Sequence, residues 1–280
     1  MNRTVTFPQP RRWALITGGS HGIGRALALE CVRRDLAVAI VALPNADLTR
    51  MDDELAGLPG CSYAVYGTDL TQSGAVADVM RWLEMVNIQP SYLINNAGFG
   101  RGGLFEHTAW EEYRTMLQLN NQVMVDLTYA LLPSLKRTRG GIMNMSSVEA
   151  TLPLPYKTVY TGTKAFVYNY SLALREEMRY YGIDVSVLCP GPTITNADGL
   201  KRVHAMGTLA RIAVTLPEDI AAESINGMLK GKAVIRPGAL VKFMALLGKL
   251  VPRPLKLRIL ERMFSKYRAE DAPVPAEVMG

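Results

Sequence analysis

Trp13-Ala14-Leu15-Ile16-Thr17 runs directly into Gly18-Gly19-Ser20-His21-Gly22-Ile23-Gly24 and on into Arg25-Ala26-Leu27-Ala28-Leu29-Glu30-Cys31. The first five residues read as a strand and Gly24 to Arg34 as a helix with mixed faces. The glycines between them permit φ > 0 and let a backbone come close to a pyrophosphate. The helix that follows offers unpaired N–H groups and the positive end of its dipole. A glycine cluster alone says little. Placed between a first strand and its helix it acquires meaning as a phosphate cradle; a tight turn without a ligand is the alternative.

Downstream, Leu36 to Ala42 is apolar throughout, which suits a parallel strand covered on both faces. Tyr63–Tyr66, Ser91–Asn95, Gly141–Met145 and Asp184–Leu188 are further short strands, separated by helical patterns near 72–86, 108–137, 160–181 and 217–230. The alternation predicts an α/β fold, a Rossmann-type doubly wound parallel sheet flanked by helices, with a helical C-terminal extension. No repeat or flexible linker interrupts it. Residues 1–238 are therefore read as one dinucleotide-binding catalytic domain and 239–280 as a basic amphipathic extension packed on or near it. The first ten or so residues are expected to form a loose arm.

The composition fits this. The chain has 280 residues, 49% hydrophobic and 20% charged, enough to bury a large core. The longest uncharged stretch, Met85 to Gly100, contains Pro90 and several asparagines and does not read as a membrane span. The N-terminus lacks the apolar segment of a signal peptide, so a cytoplasmic protein is expected. Cys31, Cys61 and Cys189 lie far apart without metal-ligand spacing and read as reduced packing residues; the three histidines are scattered, and no metal site is expected. Net charge is +6, but Met228 to Arg268 holds eleven basic residues and one acidic, a net +10 that leaves −4 for the rest. The basic character belongs to the tail, which argues against a nucleic-acid partner.

Tyr160-Thr161-Gly162-Thr163-Lys164 places a phenol and an ammonium on one helix face. A nearby cation favours the phenolate, so such a phenol is tuned to pass a proton to or from a carbonyl oxygen. The pair also occurs by chance on ordinary helices. Together with the Thr17-Gly18…Gly22-Ile23-Gly24 spacing, however, it resembles the short-chain dehydrogenase/reductase family, in its shorter oxidoreductase branch. The resemblance implies a catalytic Ser147, thirteen residues before Tyr160, with Ser146 as its neighbouring alternative. It implies Asn120 as the fourth catalytic residue, holding a relay water, with Asn121 as the register rival. Asn95-Asn96-Ala97-Gly98 resembles the family's strand-end motif that lines the adenosine site. Cys189-Pro190-Gly191-Pro192-Thr193-Ile194-Thr195 resembles the segment that meets the nicotinamide amide through Thr193 and Thr195. Asp69-Leu70 resembles the adenine-contacting pair. The implied cofactor contacts are Gly18, Ser20, His21, Gly22, Ile23, Gly24, Asp69, Leu70, Asn96, Ala97, Gly98, Tyr160, Lys164, Pro190, Gly191, Thr193 and Thr195. The implied chemistry is hydride transfer between a nicotinamide and a carbonyl or alcohol, with Tyr160 passing the proton, Ser147 polarising the oxygen and Lys164 holding the ribose.

One family determinant is missing. The second strand ends in Ala42 and Leu43, with neither the acid that bonds a ribose 2′-OH nor the Arg that welcomes a 2′-phosphate. With no acid to repel phosphate, and with His21 in a place where users of the phosphorylated cofactor carry a base, NADP(H) is favoured over NAD(H) with low discrimination.

In the tail, Ala239–Leu250 and Leu255–Arg268 read as helices. In the second, Ile259, Leu260, Met263, Phe264 and Tyr267 share one face, and Lys256, Arg258, Arg262, Lys266 and Arg268 mark the other. Such a helix suits a substrate cover or subunit contact, a peripheral site on an anionic membrane surface, or an acidic carrier protein. Asn196 to Leu216 is expected to be a loop over a lipophilic pocket. The expected substrate is a lipophilic ketone such as a 3-oxoacyl thioester, and a homodimer or homotetramer is expected through the helices at 108–137 and 160–181. A catalytically silent nucleotide sensor and a membrane-recruited interaction protein are the alternatives.

Overall fold

A computed structural model of the chain describes residues 4–5, 12–193, 215–238 and 252–265. The apolar run after the first helix becomes β3 (Ala37–Ala42), buried at all six positions. It pairs in parallel with β2 (Trp13–Thr17) on one side and β4 (Tyr63–Gly67) on the other. Beyond β2 the sheet continues through β5 (Pro90–Asn95), β6 (Gly141–Met145), β7 (Asp184–Leu188) and the two-residue β8 (Val234–Ile235). These seven strands are all parallel, and the order reverses at β2, between β3 and β5. Ligands of such sheets bind at that reversal, outside the carboxyl ends of the strands.

Successive side chains alternate between two cores. Ile16, Val38 and Ile40 point to the side covered by α1 (Gly22–Arg33), α2 (Ala46–Ala56) and α7 (Pro217–Leu229), where Leu27, Met51, Leu55 and Ile225 are buried. Leu15, Ala39, Val41 and Leu93 point to the side of α3 (Ala75–Met85) and α5 (Val123–Thr138), against Trp82, Leu127 and Leu131. The three cysteines are buried and free, as packing residues would be.

A polar thread crosses the second side. Asn95 Nδ2 donates to Asn144 Oδ1 at 2.9 Å and to Thr128 Oγ1 at 3.3 Å. Asn144 Nδ2 donates to Ser171 Oγ at 2.9 Å. The thread ties β5 and β6 to α5 and to α6 (Thr158–Arg179), the helix that carries Tyr160 and Lys164.

Several boundaries differ from the sequence expectations. Helix α1 starts at Gly22, two residues early, because the last glycines belong to its first turn. Helix α2 was not anticipated; Asn45 caps it by accepting from the amides of Asp47 and Leu48. The helix expected over 108–137 is α4 (Trp110–Leu117) and α5, joined by a π-helical turn at Gln118–Gln122. The expected N-terminal arm contains β1 (Thr4–Val5), which pairs antiparallel with β4 and covers that edge of the sheet. In the tail, α8 spans Arg253–Phe264; the expected helix at 239–250 lies outside the described residues. The single apolar face expected of α8 is split. Phe264 is buried, while Leu255, Ile259 and Met263 are exposed. Among the described residues no helix is long and apolar enough to cross a membrane.

Candidate active site

The glycine turn is shaped by close approach. Gly18 and Gly22 have φ of +64° and +55°, in the region that disfavours side chains. A Cβ at Gly24 would stand 2.0 Å from the Gly18 carbonyl oxygen and 2.5 Å from Asn96 Nδ2. Asn96 closes the turn from the neighbouring strand: its side-chain amide donates to the carbonyls of Thr17 and Gly18, both at 3.0 Å. Thr17 Oγ1 in turn accepts from the amides of Asn96 and Ala97. Helix α1 has His21 at its N-cap position, with no side-chain capping bond and no acidic residue in its first turn. Its first N–H groups therefore face the turn with the dipole's positive end undiminished, which fits a pyrophosphate.

Next to this turn, at the carboxyl ends of β5 and β6, lie the residues of the expected catalytic set. Lys164 is buried, and its Nζ donates to the Met145 carbonyl at 3.0 Å. Removal from water pushes its ammonium down to about 8. Nζ lies 5.9 Å from the centroid of the Tyr160 ring. That ring is backed by Gly100, where a Cβ would come within 2.7 Å of two ring carbons.

The two serines have different partners. Ser146 Oγ donates to the Lys164 carbonyl at 2.8 Å and so ties the end of β6 to α6. Ser147 Oγ accepts from the Glu149 amide at 3.1 Å, capping the short turn Val148–Thr151. A hydroxyl that accepts there still has its proton to donate. The two asparagines also separate. Asn120, buried in the π-helical turn, bonds the backbone of Phe99 in both directions, at 3.0 and 3.1 Å, and donates to Thr163 Oγ1 at 3.0 Å. Asn121 donates to the Thr163 carbonyl at 2.9 Å. A Cβ on Gly98 would stand 2.5 Å from Asn120 Oδ1 and 3.6 Å from Lys164 Nζ, so only Asn120 shares that corner with the lysine.

The remaining expected contacts are placed as follows. Asp69 Oδ1 accepts from the Thr71 amide and hydroxyl, which hold its carboxyl below the usual range. Leu70 is buried, Ser20 is buried with its Oγ 3.4 Å from His21 Nδ1, and His21 is exposed. The Pro190 carbonyl accepts from the Val148 amide, and Thr193 Oγ1 donates to the Gly191 carbonyl. Thr195 and residues 196–214 of the expected loop lie outside the described residues. Arg25, close to the glycine turn in sequence, is clamped by both oxygens of Glu54. No cluster of three potential metal ligands occurs among the described residues. Sequence reading missed Thr17, Thr163 and Gly100, whose roles arise only from tertiary contacts with Asn96 and Ala97, with Asn120 and with the Tyr160 ring.

The buried lysine has a measurable consequence. From pH 8 to its ordinary value of 10.5, the unfolded chain holds a proton that folded Lys164 has released. Stability contributed by this site therefore rises with pH over that window. Measured as the difference from Lys164→Met in denaturant unfolding, the rise between pH 8 and about pH 10 is expected to be about 2 kcal/mol. A flat difference contradicts the assignment.

A family model described as short chain dehydrogenase matches residues 12–204. Over 197 residues the chain is 29% identical to a very-long-chain 3-oxoacyl-CoA reductase of Laccaria bicolor, a match covering 69% of this chain and 58% of that protein. The chain spans 33% to 59% of the length of the curated relatives it matches. Among solved structures it is similar to the bulky-bulky ketone specific alcohol dehydrogenase from Comamonas testosteroni, with a TM-score of 0.72 and 27% identity over 86% of this chain and 92% of that one. It is equally similar to a short-chain dehydrogenase from Sphingobium yanoikuyae in complex with NADPH, with a TM-score of 0.72 and 28% identity over 85% and 93% of the two chains. A glycine turn that excludes side chains, a buried lysine beside a tyrosine one helical turn away, and a family match over most of the described sheet agree: the chain belongs to the short-chain dehydrogenase family.

Proposed function

We propose that the chain is an NAD(P)(H)-dependent ketoreductase acting on a lipophilic ketone such as a 3-oxoacyl thioester, with NADP(H) preferred. The observation that carries this is the buried Lys164 ammonium, held by the Met145 carbonyl next to the Tyr160 ring and beside a turn that fits a pyrophosphate. In this reading Gly18, Gly22 and Gly24 and the first turn of α1 hold the dinucleotide, with Asn96 bracing the turn. A nicotinamide bound there supplies the hydride. Ser147 donates to the substrate carbonyl and orients it. Tyr160 gives that oxygen its proton, and the Lys164 charge makes the phenol a readier donor. Asn120 fixes the Phe99 backbone and the Lys164 corner, where a relay water can sit.

The preference for NADP(H) is supported by the end of β3, where Ala42 is followed by the exposed Leu43 and no carboxylate repels a 2′-phosphate. Residues 1–238 act as the catalytic unit and 239–280 as an extension. Tyr129 on α5 and Phe166 on α6, both exposed, support a homo-oligomer through those helices. The exposed Leu255, Ile259 and Met263, flanked by Arg258 and Arg262, suit an anionic membrane surface.

The test is cofactor oxidation by the purified protein, NADPH and NADH side by side. The substrates are 3-oxoacyl thioesters of rising chain length and simple ketones, with and without anionic vesicles. Turnover that rises with chain length and favours NADPH is expected. Cofactor binding without turnover on any member sinks the ketoreductase reading and favours a nucleotide sensor.

A further inference from the structure

Tyr160 has a second ammonium beside it that the reduction described above does not use. Lys157, at the N-cap position of α6 without a side-chain capping bond, places its Nζ 5.9 Å from the Tyr160 ring centroid, the same distance as Lys164. Two contacts hold it there, and the preceding residue fixes its backbone. Its Nζ pairs with Glu149 Oε1 at 2.9 Å, with both side chains less than one-fifth exposed. It lies 5.4 Å from the ring centroid of Phe264, the buried residue of α8. The preceding residue, Tyr156, has φ of +63°, a conformation that a bulky residue keeps only when its surroundings enforce it. Its hydroxyl donates to Glu261 Oε1 of α8 at 3.1 Å, and its carbonyl accepts from the Gly103 amide at 2.8 Å. Glu149 Oε2 is buried with no hydrogen-bond partner among the described residues, so the carboxylate's main counter-charge is Lys157.

We propose that Lys157 is a positioning residue for Tyr160, a second cation whose charge lowers the phenol's proton affinity, moderated by Glu149 and held in place by α8. This rests on the reading of Tyr160 as the proton donor. A unit charge within several ångströms of a phenol in a half-buried site shifts it by about one to two pH units, and an ion-pair partner cancels part of that. The sign differs between the two members of the pair. Loss of Lys157 leaves Glu149 to raise the proton affinity of Tyr160; loss of Glu149 unmasks Lys157 and lowers it. Of the other charged groups on the surrounding elements, Lys164 on α6 flanks the ring, Glu261 on α8 approaches through Tyr156, and the Arg101–Glu112 pair beyond Gly100 carries offsetting charges; α8 also carries Lys256 and the exposed Arg258 and Arg262, and α4 the exposed Glu111 and Arg114. The C-terminal helix thereby acts on the proton-transfer step through Lys157.

The experiment is an ultraviolet titration of phenolate, taken as the difference between each protein and its Tyr160→Phe counterpart, so that Tyr160 is read without turnover. Lys157→Met is expected to raise the midpoint by about one unit and Glu149→Gln to lower it by a similar amount. Lys157→Arg restores the parent midpoint. The pH profile of turnover should move in the same directions. Shifts of the same sign in the two neutral variants, or none in either, overturn the proposal. Opposite shifts without turnover on any substrate would leave it standing and remove the ketoreductase reading instead.

Discussion

Tyr160→Phe is expected to lower turnover by about 10²–10⁴-fold while NADPH affinity stays within about threefold of the parent. The change removes one oxygen and keeps the ring that packs on Gly100. The Lys164 ammonium keeps its bond to the Met145 carbonyl and its place in the site. What is lost is the proton that must reach the carbonyl oxygen as hydride arrives, and water cannot take over without the pre-set geometry. The loss should appear in kcat far more than in KM, because the phenol acts in the transition state. Stopped-flow NADPH oxidation and a fluorescence titration of NADPH read the two halves. Full activity in the variant would remove Tyr160 from the mechanism. Loss of binding together with activity would mean that the ring, not its hydroxyl, was the functional part.

Gly24→Ala is expected to abolish measurable dinucleotide binding and to lower unfolding free energy by about 3 kcal/mol, the upper end for an overpacked methyl group. The added carbon would stand 2.0 Å from the Gly18 carbonyl oxygen and 2.5 Å from Asn96 Nδ2. Neither can yield cheaply. Gly18 is held by the hydrogen bond that its amide N–H donates to the Val41 carbonyl at 2.7 Å, and the Asn96 side-chain amide donates to two carbonyls of the same turn. The helix must move away from the turn, and its first N–H groups lose their aim at the phosphates. Gly162, between Tyr160 and Lys164, is the control. A Cβ there meets nothing within 4 Å, so Gly162→Ala should stabilise the helix by up to about 1 kcal/mol. Calorimetric NADPH binding and thermal unfolding of both variants check the contrast. Similar behaviour of the two would show that steric closeness at Gly24 does not govern the turn.

What the sequence disclosed followed from how strongly local pattern and tertiary context agree. The strands of the parallel sheet were legible because burial on both faces demands uninterrupted apolar runs, as in Ala37–Ala42. Helix α2 carried a readable cap at Asn45 and an apolar spacing at Leu48, Met51 and Leu55, but three apolar residues among charged ones give a weak signal. The π-helical turn at Gln118–Gln122 left no such trace. One extra residue in a helix changes which asparagine faces inward without changing composition, and the bonds of Asn120 to Phe99 decide it. Likewise the thirteen-residue spacing to Tyr160 favoured Ser147 over Ser146, but the bonds of the two hydroxyls cannot be read from the letters. They part only where one hydroxyl meets the Lys164 carbonyl. The split face of α8 was unreadable for the same reason: only the docking of Phe264 and Glu261 shows which side turns inward.

The hydrogen-bonded thread through Asn95, Thr128, Asn144 and Ser171 also bears on how this protein can change. Loss of the Ser171 hydroxyl leaves the buried Asn144 Nδ2 without its acceptor, at about 1–3 kcal/mol, whereas loss of Asn144 removes one bond each from Asn95 and Ser171, which keep Thr128 Oγ1 and the Val167 carbonyl. These positions are thus coupled, and removing their polarity requires coordinated replacement by apolar residues of matching volume. The surface around them is free of that restriction. A lineage, or a designer, can therefore vary the substrate side widely while the frame that sets the distance between proton donor and nucleotide turn stays fixed.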